Sequence, residues 1–460
     1  MENGKITLHN TMSKRLEEFK PLVPGQVGIY SCGPTVYSRP HIGNLRPYIH
    51  ADIMKRMFRA NNYIVNHTIN ITDVGHLVSD EDTGEDKMEK GARREGKTAW
   101  DVAKFYTDIF IESLNALGIE LPTNMPRATD YIQQQIDWVR KLEDLGYTYE
   151  IPGDGIYFDT SKFPDYGALG HQNLDELKAG ARIDVEGKKN HTDFALWKFS
   201  PAGVKRDMEW DSPWGKGFPG WHIECSVMSA ETLGAHFDIH TGGPEHIKVH
   251  HTNEIAQSEP LVGKPWVNYW VHFAWLMSAE GKMSKSAGDD LTIGGLVDKG
   301  YNPMAFRYLI LLGHYSSQIE FSYAALDAAT AGYKNIVRKV ASLMEEGGTA
   351  NQELVDNYKN KLTGIISNNL DTAGVLVAVQ ELLKSSESAA VKLQVIKFAD
   401  ELLGLQLIEA AEKSRAQITP EIQAIINERI AARAAKDWAK SDELRDKLAA
   451  MGIEVNDQKL

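Results

Sequence analysis

Apolar and polar positions change period along the chain, and the changes mark out its elements. The run Gln26-Val27-Gly28-Ile29-Tyr30-Ser31 is short, apolar at its centre and followed by turn residues, which predicts a buried strand. It runs into Cys32-Gly33-Pro34, a turn sequence. Leu45, Ile49, Ile53 and Met57 then recur at every fourth position and mark the buried stripe of a helix beginning near Gly43. Tyr63 to Ile71 is rich in β-branched residues and predicts a second strand. Strand, loop, helix, strand is a βαβ unit, and its usual product is a parallel sheet.

From about Pro122 to Ser200 the pattern loosens into helices, short strands and Gly-rich turns, as in an insertion domain. Phe237-Asp238-Ile239-His240 and Tyr269-Trp270-Val271-His272-Phe273 are short enough for buried strands of the same sheet, resumed afterwards. Beyond Ser322 the chain is rich in Ala, Leu, Lys and Glu at helical spacing, with Val375, Leu376, Val379, Leu382 and Leu383 on one face. Arg429 to Leu448 carries Arg433, Lys436, Lys440, Arg445 and Lys447 among acids and reads as one charge-mixed helix. The fold class expected is α/β: a split Rossmann-like parallel-sheet domain with an insertion domain, followed by an all-α C-terminal helical bundle. The sheet domain takes 1–121 and 201–275, the insertion 122–200, a connecting region 276–321, the bundle 322–410 and a small helical region 411–460.

At 460 residues the chain should divide into roughly two to four domains. With 42% hydrophobic and 25% charged residues it has an ordinary globular composition. Its start, Met1-Glu2-Asn3-Gly4-Lys5, lacks a signal peptide's apolar core, and no apolar run reaches the roughly 18 residues that span a bilayer. A cytoplasmic protein without a membrane partner is expected. Two cysteines, Cys32 and Cys225, cannot build a disulfide framework. The formal charge of −13 argues against indiscriminate adhesion to DNA or RNA, and leaves open a selective partner held by local basic stripes.

Two segments carry candidate chemistry by themselves. Pro40-His41-Ile42-Gly43-Asn44 lies where the first helix of the sheet begins, and a helix N-terminus attracts phosphate. Gly43 admits a nucleotide close to the backbone, and His41 and Asn44, three apart, put two donors on one face. The same residues also suit an ordinary capped helix start. Gly281-Lys282-Met283-Ser284-Lys285-Ser286-Ala287-Gly288 sets two lysines and hydroxyls between glycine hinges. Such a loop can close over a triphosphate and neutralise departing pyrophosphate, or be a solvated surface turn.

Taken together, His41-Ile42-Gly43-Asn44 and Lys282-Met283-Ser284-Lys285-Ser286 resemble the signature motifs of class I aminoacyl-tRNA synthetases, His-Ile-Gly-His and Lys-Met-Ser-Lys-Ser. Asn44 replaces the usual His and still donates a hydrogen bond. Cys32-Gly33-Pro34-Thr35-Val36-Tyr37, Asn70-Ile71-Thr72-Asp73, Gly220-Trp221-His222-Ile223-Glu224-Cys225-Ser226 and His250-His251-Thr252-Asn253-Glu254 are similar, in order, to motifs of the cysteinyl-tRNA synthetases. The likeness is densest between residues 20 and 290 and returns in Ala432 to Gly452.

That resemblance implies ATP-dependent activation of L-cysteine and its transfer to the 3'-terminal ribose of tRNA(Cys). It implies His41, Asn44, Lys282 and Lys285 as catalytic residues, and these with Gly43 and Ser284 as ATP-binding residues, with Mg²⁺ on the triphosphate. It implies one Zn²⁺ held by Cys32, Cys225, His250 and Glu254, and a cysteine pocket of Thr72, Trp221 and His240. The region 276–321 would carry the second-motif loop and contact the tRNA stem, and the helical regions would read tRNA shape and anticodon.

Physical chemistry supports the ligand set independently. Zinc favours four thiolate, imidazole or carboxylate donors, and His250 and Glu254 are four apart, so that a helix turns both to one centre. Six of the 15 histidines fall between His222 and His251. His222 and His251 are substitutes for a proposed ligand, a free Cys is commonly a small buried hydrophobe, Trp221 also suits a core aromatic and Thr72 a strand cap. Serine is nearly isosteric with cysteine, so rejecting it about ten-thousandfold requires about 5.5 kcal/mol, which zinc-thiolate bonding can supply without editing.

Two rivals stand beside this reading. A ligase joining cysteine to an amino sugar would share the zinc pocket and lack the tRNA-binding half. A non-catalytic binding paralogue would have no evident need for Lys282 to Ser286. The chain also departs from the family's usual pattern in Val74-Gly75-His76 and the acidic stretch after it, in Pro244-Glu245-His246 and Lys248-Val249, and in ending at Leu460 without Gly-Thr-x-Trp.

Overall fold

The computed structural model describes residues 5–75, 87–172, 187–201, 203, 206–278, 281–282, 291–416 and 420–451. The expectations for His76 with the acidic stretch, for Ser284 and Lys285, and for the end of the chain lie outside the described residues.

Four parallel strands form the central sheet in the order Val267–His272, Phe237–Gly242, Gln26–Ser31, Ile64–Ile69. The first two come from beyond the insertion, so the sheet is split in sequence as the fold class required. Phe237–Gly242 is buried along its whole length, the pattern of a strand covered on both faces. Helix Ile42–Ala60 crosses between Gln26–Ser31 and Ile64–Ile69, and Leu45, Ile49, Ile53 and Met57 are all fully buried beneath it. Its start is a capping box: His41 Nδ1 accepts from the Asn44 N–H at 3.2 Å, and Asn44 Oδ1 accepts from the His41 N–H at 3.3 Å.

The insertion folds around an antiparallel sheet of Thr148–Ile151, Gly155–Phe158, Phe194–Phe199 and Gly217–Pro219, whose last strand lies past residue 200. Its core, with Trp138, Phe158, Phe194 and Trp197, is continuous with one face of the parallel sheet through Ile223, Phe237 and Trp270. The other face packs on Ile42–Ala60 and continues into the helical half.

Helices Tyr323–Glu346, Gln352–Ser367, Thr372–Lys384, Ala389–Leu403 and Leu407–Ala416 make the bundle. Four begin on side chains that cap their first turns, Ser322, Asn351, Asp371 and Ser388. Val375, Leu376, Val379 and Leu382 are buried, and Leu383 is half-buried. One expectation is corrected: Arg429 to Leu448 is not a single helix. Pro420–Ala434 and Trp438–Ala450 are separate, because Lys436 takes a left-handed conformation (φ 59°) and the Asp437 carboxylate caps the second helix by accepting from the Lys440 N–H at 3.1 Å. Among the described residues no helix is long and apolar enough to cross a membrane.

Candidate active site

All four parallel strands point their carboxyl ends one way, so Cys32, Asn70, Gly242 and Phe273, which end or follow them, meet at one edge. That edge is where open α/β sheets bind ligands. A cavity of about 240 Å³ opens there, lined by Cys32, Gly43, Asn44, Trp221, His246 and Trp275 among others.

Behind the Cys32 wall lies a buried cluster of donors. Atoms of Cys32, Cys225, His250 and Glu254 lie within 4.8 Å of one another, and so do atoms of Cys32, His240, His251 and Glu254. The expected set is therefore brought together, along with a second set sharing Cys32 and Glu254. Glu254 is fully buried between histidines, 3.1 Å from His250 Nε2 through one oxygen and 2.9 Å from His240 Nε2 through the other. His251 Nε2 is 3.3 Å from Cys32 Sγ, and its Nδ1 is 2.8 Å from His272 Nε2, which is in turn tied to Thr11. His222 Nδ1 meets His250 Nδ1 at 2.9 Å.

Local sequence fixes these positions. His250 and Glu254 share one face of helix His250–Val262, and Cys225 comes from helix Trp221–Leu233, packed beside it. Cys32 is held by its neighbours: its N–H donates to Thr241 O at 3.3 Å and its carbonyl accepts from the Tyr48 hydroxyl at 3.1 Å. Gly33 donates to Asn70 Oδ1 at 2.7 Å and lies so close that a Cβ there would stand 1.5 Å from Asn70 O.

Burial pushes the Cys32 thiol and the Glu254 carboxyl well above their ordinary ranges, and pushes His240 down to about 3. Left to themselves these groups favour neutral forms, and a divalent ion among them reverses that preference by stabilising thiolate and carboxylate. Two sulfurs, an imidazole and a carboxylate with donor atoms within 4.8 Å of one another are a donor set that suits a zinc-type ion.

The remaining expected residues fall as follows. Trp221 opens its helix, lines the cavity and stacks on His250 at 4.5 Å. Thr72 is buried behind the cavity wall, its N–H donating to Pro34 O at 3.1 Å and its hydroxyl accepting from Asn70 Nδ2. His240 is fully buried and stacks on Trp270 at 4.7 Å, set back from the cavity. The backbone of Lys282 lies in the short strand Gly281–Lys282, paired with Leu276–Ser278.

Sequence reasoning missed His272, Tyr48 and Trp275. His272 carried a signal, as the last position of the strand that register pairs with Phe237–Gly242. Conversely His236, one of the six clustered histidines, is exposed and bonds Pro265 O away from the site.

A split parallel sheet with this edge site is the fold of class I aminoacyl-tRNA synthetases. Residues 18–331 match the family model described as tRNA synthetases class I (C) catalytic domain. A Mycobacterium tuberculosis methionyl-tRNA synthetase bound by methionyl-adenylate shares the fold with TM-score 0.55 at 16% identity, over 85% of this chain and 93% of that one. The Agrobacterium radiobacter LeuRS-tRNA-LeuAMS complex does so with TM-score 0.58 at 12% identity, over 86% and 85%. Residues 415–460 match the Cysteinyl-tRNA ligase anticodon binding domain. Curated relatives include Cysteine--tRNA ligase 1 of Burkholderia lata, 45% identical over 98% of this chain and 95% of its own, and Cysteine--tRNA ligase of Treponema denticola, 42% identical over 98% of each. The chain belongs to the cysteine-tRNA ligase family.

Proposed function

We propose that this chain activates L-cysteine with ATP, releasing pyrophosphate, and transfers the cysteinyl group from the adenylate to the 3'-terminal ribose of tRNA(Cys). The observation that carries the specificity is the packing of Cys32, Cys225, His250 and Glu254 donor atoms within 4.8 Å beside the cavity. Zinc is the ion assigned to them. Bound there, it supplies a soft Lewis acid that takes a thiolate in preference to a hydroxyl.

The protein's own work is positioning and charge stabilisation. The cysteine carboxylate attacks the α-phosphorus of Mg²⁺-ATP, and the bond to the β-phosphate bridging oxygen breaks. His41, Gly43 and Asn44 at the helix N-terminus, and Lys282, Ser284 and Lys285 of the second motif, bind the phosphates and stabilise the departing charge. Thr72, Trp221 and His240 shape the side of the site that takes the amino acid. A terminal ribose hydroxyl of the tRNA then attacks the adenylate carbonyl, and AMP leaves.

The match of 415–460 to an anticodon-binding domain favours this reading over an amino-sugar ligase. The sheet domain, 1–121 with 201–275, performs the chemistry. The insertion 122–200 packs its core on one face of that sheet, 276–321 carries the second motif, and 322–410 with 411–460 bind tRNA. We assign the chain to the cytoplasm, where tRNA is charged.

The test pairs metal content with cysteine-dependent exchange of labelled pyrophosphate into ATP, for the natural protein and Cys225→Ser. The natural protein should hold one zinc and exchange, and the variant should lose both. Retained stoichiometric zinc with undiminished exchange in Cys225→Ser would remove the site.

A further inference from the structure

Arg46 stands two residues past Asn44 on the first-motif helix and is fully buried. Its guanidinium is held by main-chain oxygens. Nη1 donates to Trp275 O at 2.5 Å, and Nη2 to Ser317 O at 2.6 Å and His314 O at 3.3 Å. Burial lowers its pKa to about 10, so it remains a cation at neutral pH.

Those acceptors frame the small sheet that leads into the second motif. Trp275 precedes strand Leu276–Ser278, which pairs antiparallel with Gly281–Lys282, Met277 lying opposite Lys282. Leu276–Ser278 also pairs with Ile319–Glu320, whose Ile319 N–H donates to the same Trp275 oxygen at 3.3 Å. Trp275 lines the cavity, and its indole N–H donates to Glu245. The path from Asn44 to the residue opposite Lys282 thus passes through one guanidinium and one carbonyl.

We infer that Arg46 is a positioning residue that fixes the second-motif strand relative to the first-motif helix, and so sets the spacing of the two groups of phosphate contacts. It rests on the role given to Lys282 above. A planar fork that serves two chain segments at once is what arginine provides and lysine does not. The spacing is needed while charge builds on the departing pyrophosphate, so its loss falls on turnover. Cysteine binding, assigned to other residues, Thr72, Trp221 and His240, is spared.

The experiment is pyrophosphate exchange by the full chain as natural protein, Arg46→Lys, Lys282→Ala and the double variant, with zinc content and the KM for cysteine measured on each. Arg46→Lys should lower exchange kcat roughly 10- to 100-fold, as expected of a displacement of about an ångström. Its KM for cysteine should stay within about twofold, since only transition-state contacts are lost. Zinc content should not change. In the Lys282→Ala background the further loss should shrink to about threefold or less, because residues acting as a unit are not additive. Undiminished kcat in Arg46→Lys, equal losses in both backgrounds, or zinc and cysteine affinity falling in step with kcat would each overturn the inference. Full exchange in Lys282→Ala alone would instead remove the role given to Lys282, and with it the residue through which Arg46 acts. Should Arg46→Lys not fold, Arg46→Gln, shorter and uncharged but still an N–H donor, is judged on the same outcomes.

Discussion

Arg307 donates from Nη2 to Asp52 at 2.5 Å, and both side chains are fully buried. Asp52 lies on the first-motif helix and also accepts from Arg56 Nε at 2.8 Å. Arg307 lies on helix Pro303–Leu311, and its other nitrogens donate to Leu403 O at 2.8 Å and Leu117 O at 3.1 Å. Leu403 ends a bundle helix, so one guanidinium joins the first-motif helix to the helical half. Burial alone would raise the Asp52 carboxyl, but Arg307 and Arg56 hold it below its ordinary value.

A charge this deep is tolerable only with its partner. Asp52→Asn should destabilise the protein by about 3–5 kcal/mol, because Arg307 keeps its charge and loses its counter-ion. Pairing that change with Arg307→Met should cost less than the two single changes summed. Denaturant unfolding of the single and double variants measures this, and strict additivity would show that the two side chains act independently.

The two overlapping donor sets make a sharp contrast between adjacent histidines. The Nδ1 of both histidines is engaged, that of His250 by His222 and that of His251 by His272, so the second sulfur decides, and zinc prefers the set with two sulfurs. His250→Ala should therefore lose tightly bound zinc, and His251→Ala should keep most of it. Metal analysis after gel filtration decides between them. Zinc lost from His251→Ala and kept by His250→Ala would move the site to the second set.

How far the sequence revealed this arrangement can be seen residue by residue. The strand Gln26–Ser31 and the buried stripe from Leu45 to Met57 were legible because burial on a regular element imposes a period. The expected donors were legible because their motifs carry recognisable spacing. Lys436 was illegible: it is a good helix former, and only the cap at Asp437 and packing of the terminal helices turn the chain there. Arg46 was hidden for another reason. Its partners are main-chain carbonyls more than 200 residues away, and carbonyls leave no mark in a sequence.

Gly33 offers a test of how closely the Cys32 loop is set. A methyl group there would stand 1.5 Å from Asn70 O, so the loop or the Asn70 backbone must move. Gly33→Ala should lower zinc affinity at least as much as a disturbed neighbour of a metal ligand usually does, about 10- to 100-fold. Competition with a chromophoric chelator reads it. Affinity equal to that of the natural protein would mean that the loop yields without moving Cys32.

His67 gives the fold a pH dependence of known sign. Burial pushes its pKa down to about 3, with Lys55 lowering it further and Asp52 opposing, and its Nε2 is 3.0 Å from Ser31 Oγ. In the unfolded chain it would titrate near 6.5. Between these values the unfolded state carries one more proton than the folded state. The stability His67 contributes is therefore complete above about pH 6.5 and is lost as pH falls toward 3. Other buried histidines add slopes of the same sign, so the measurement is a difference. The stability of the natural protein relative to His67→Gln should fall by about 1.4 kcal/mol for each pH unit between roughly pH 6 and 4, one proton's worth. A difference that stays flat across that range would mean that His67 exchanges its proton as easily inside the protein as outside it.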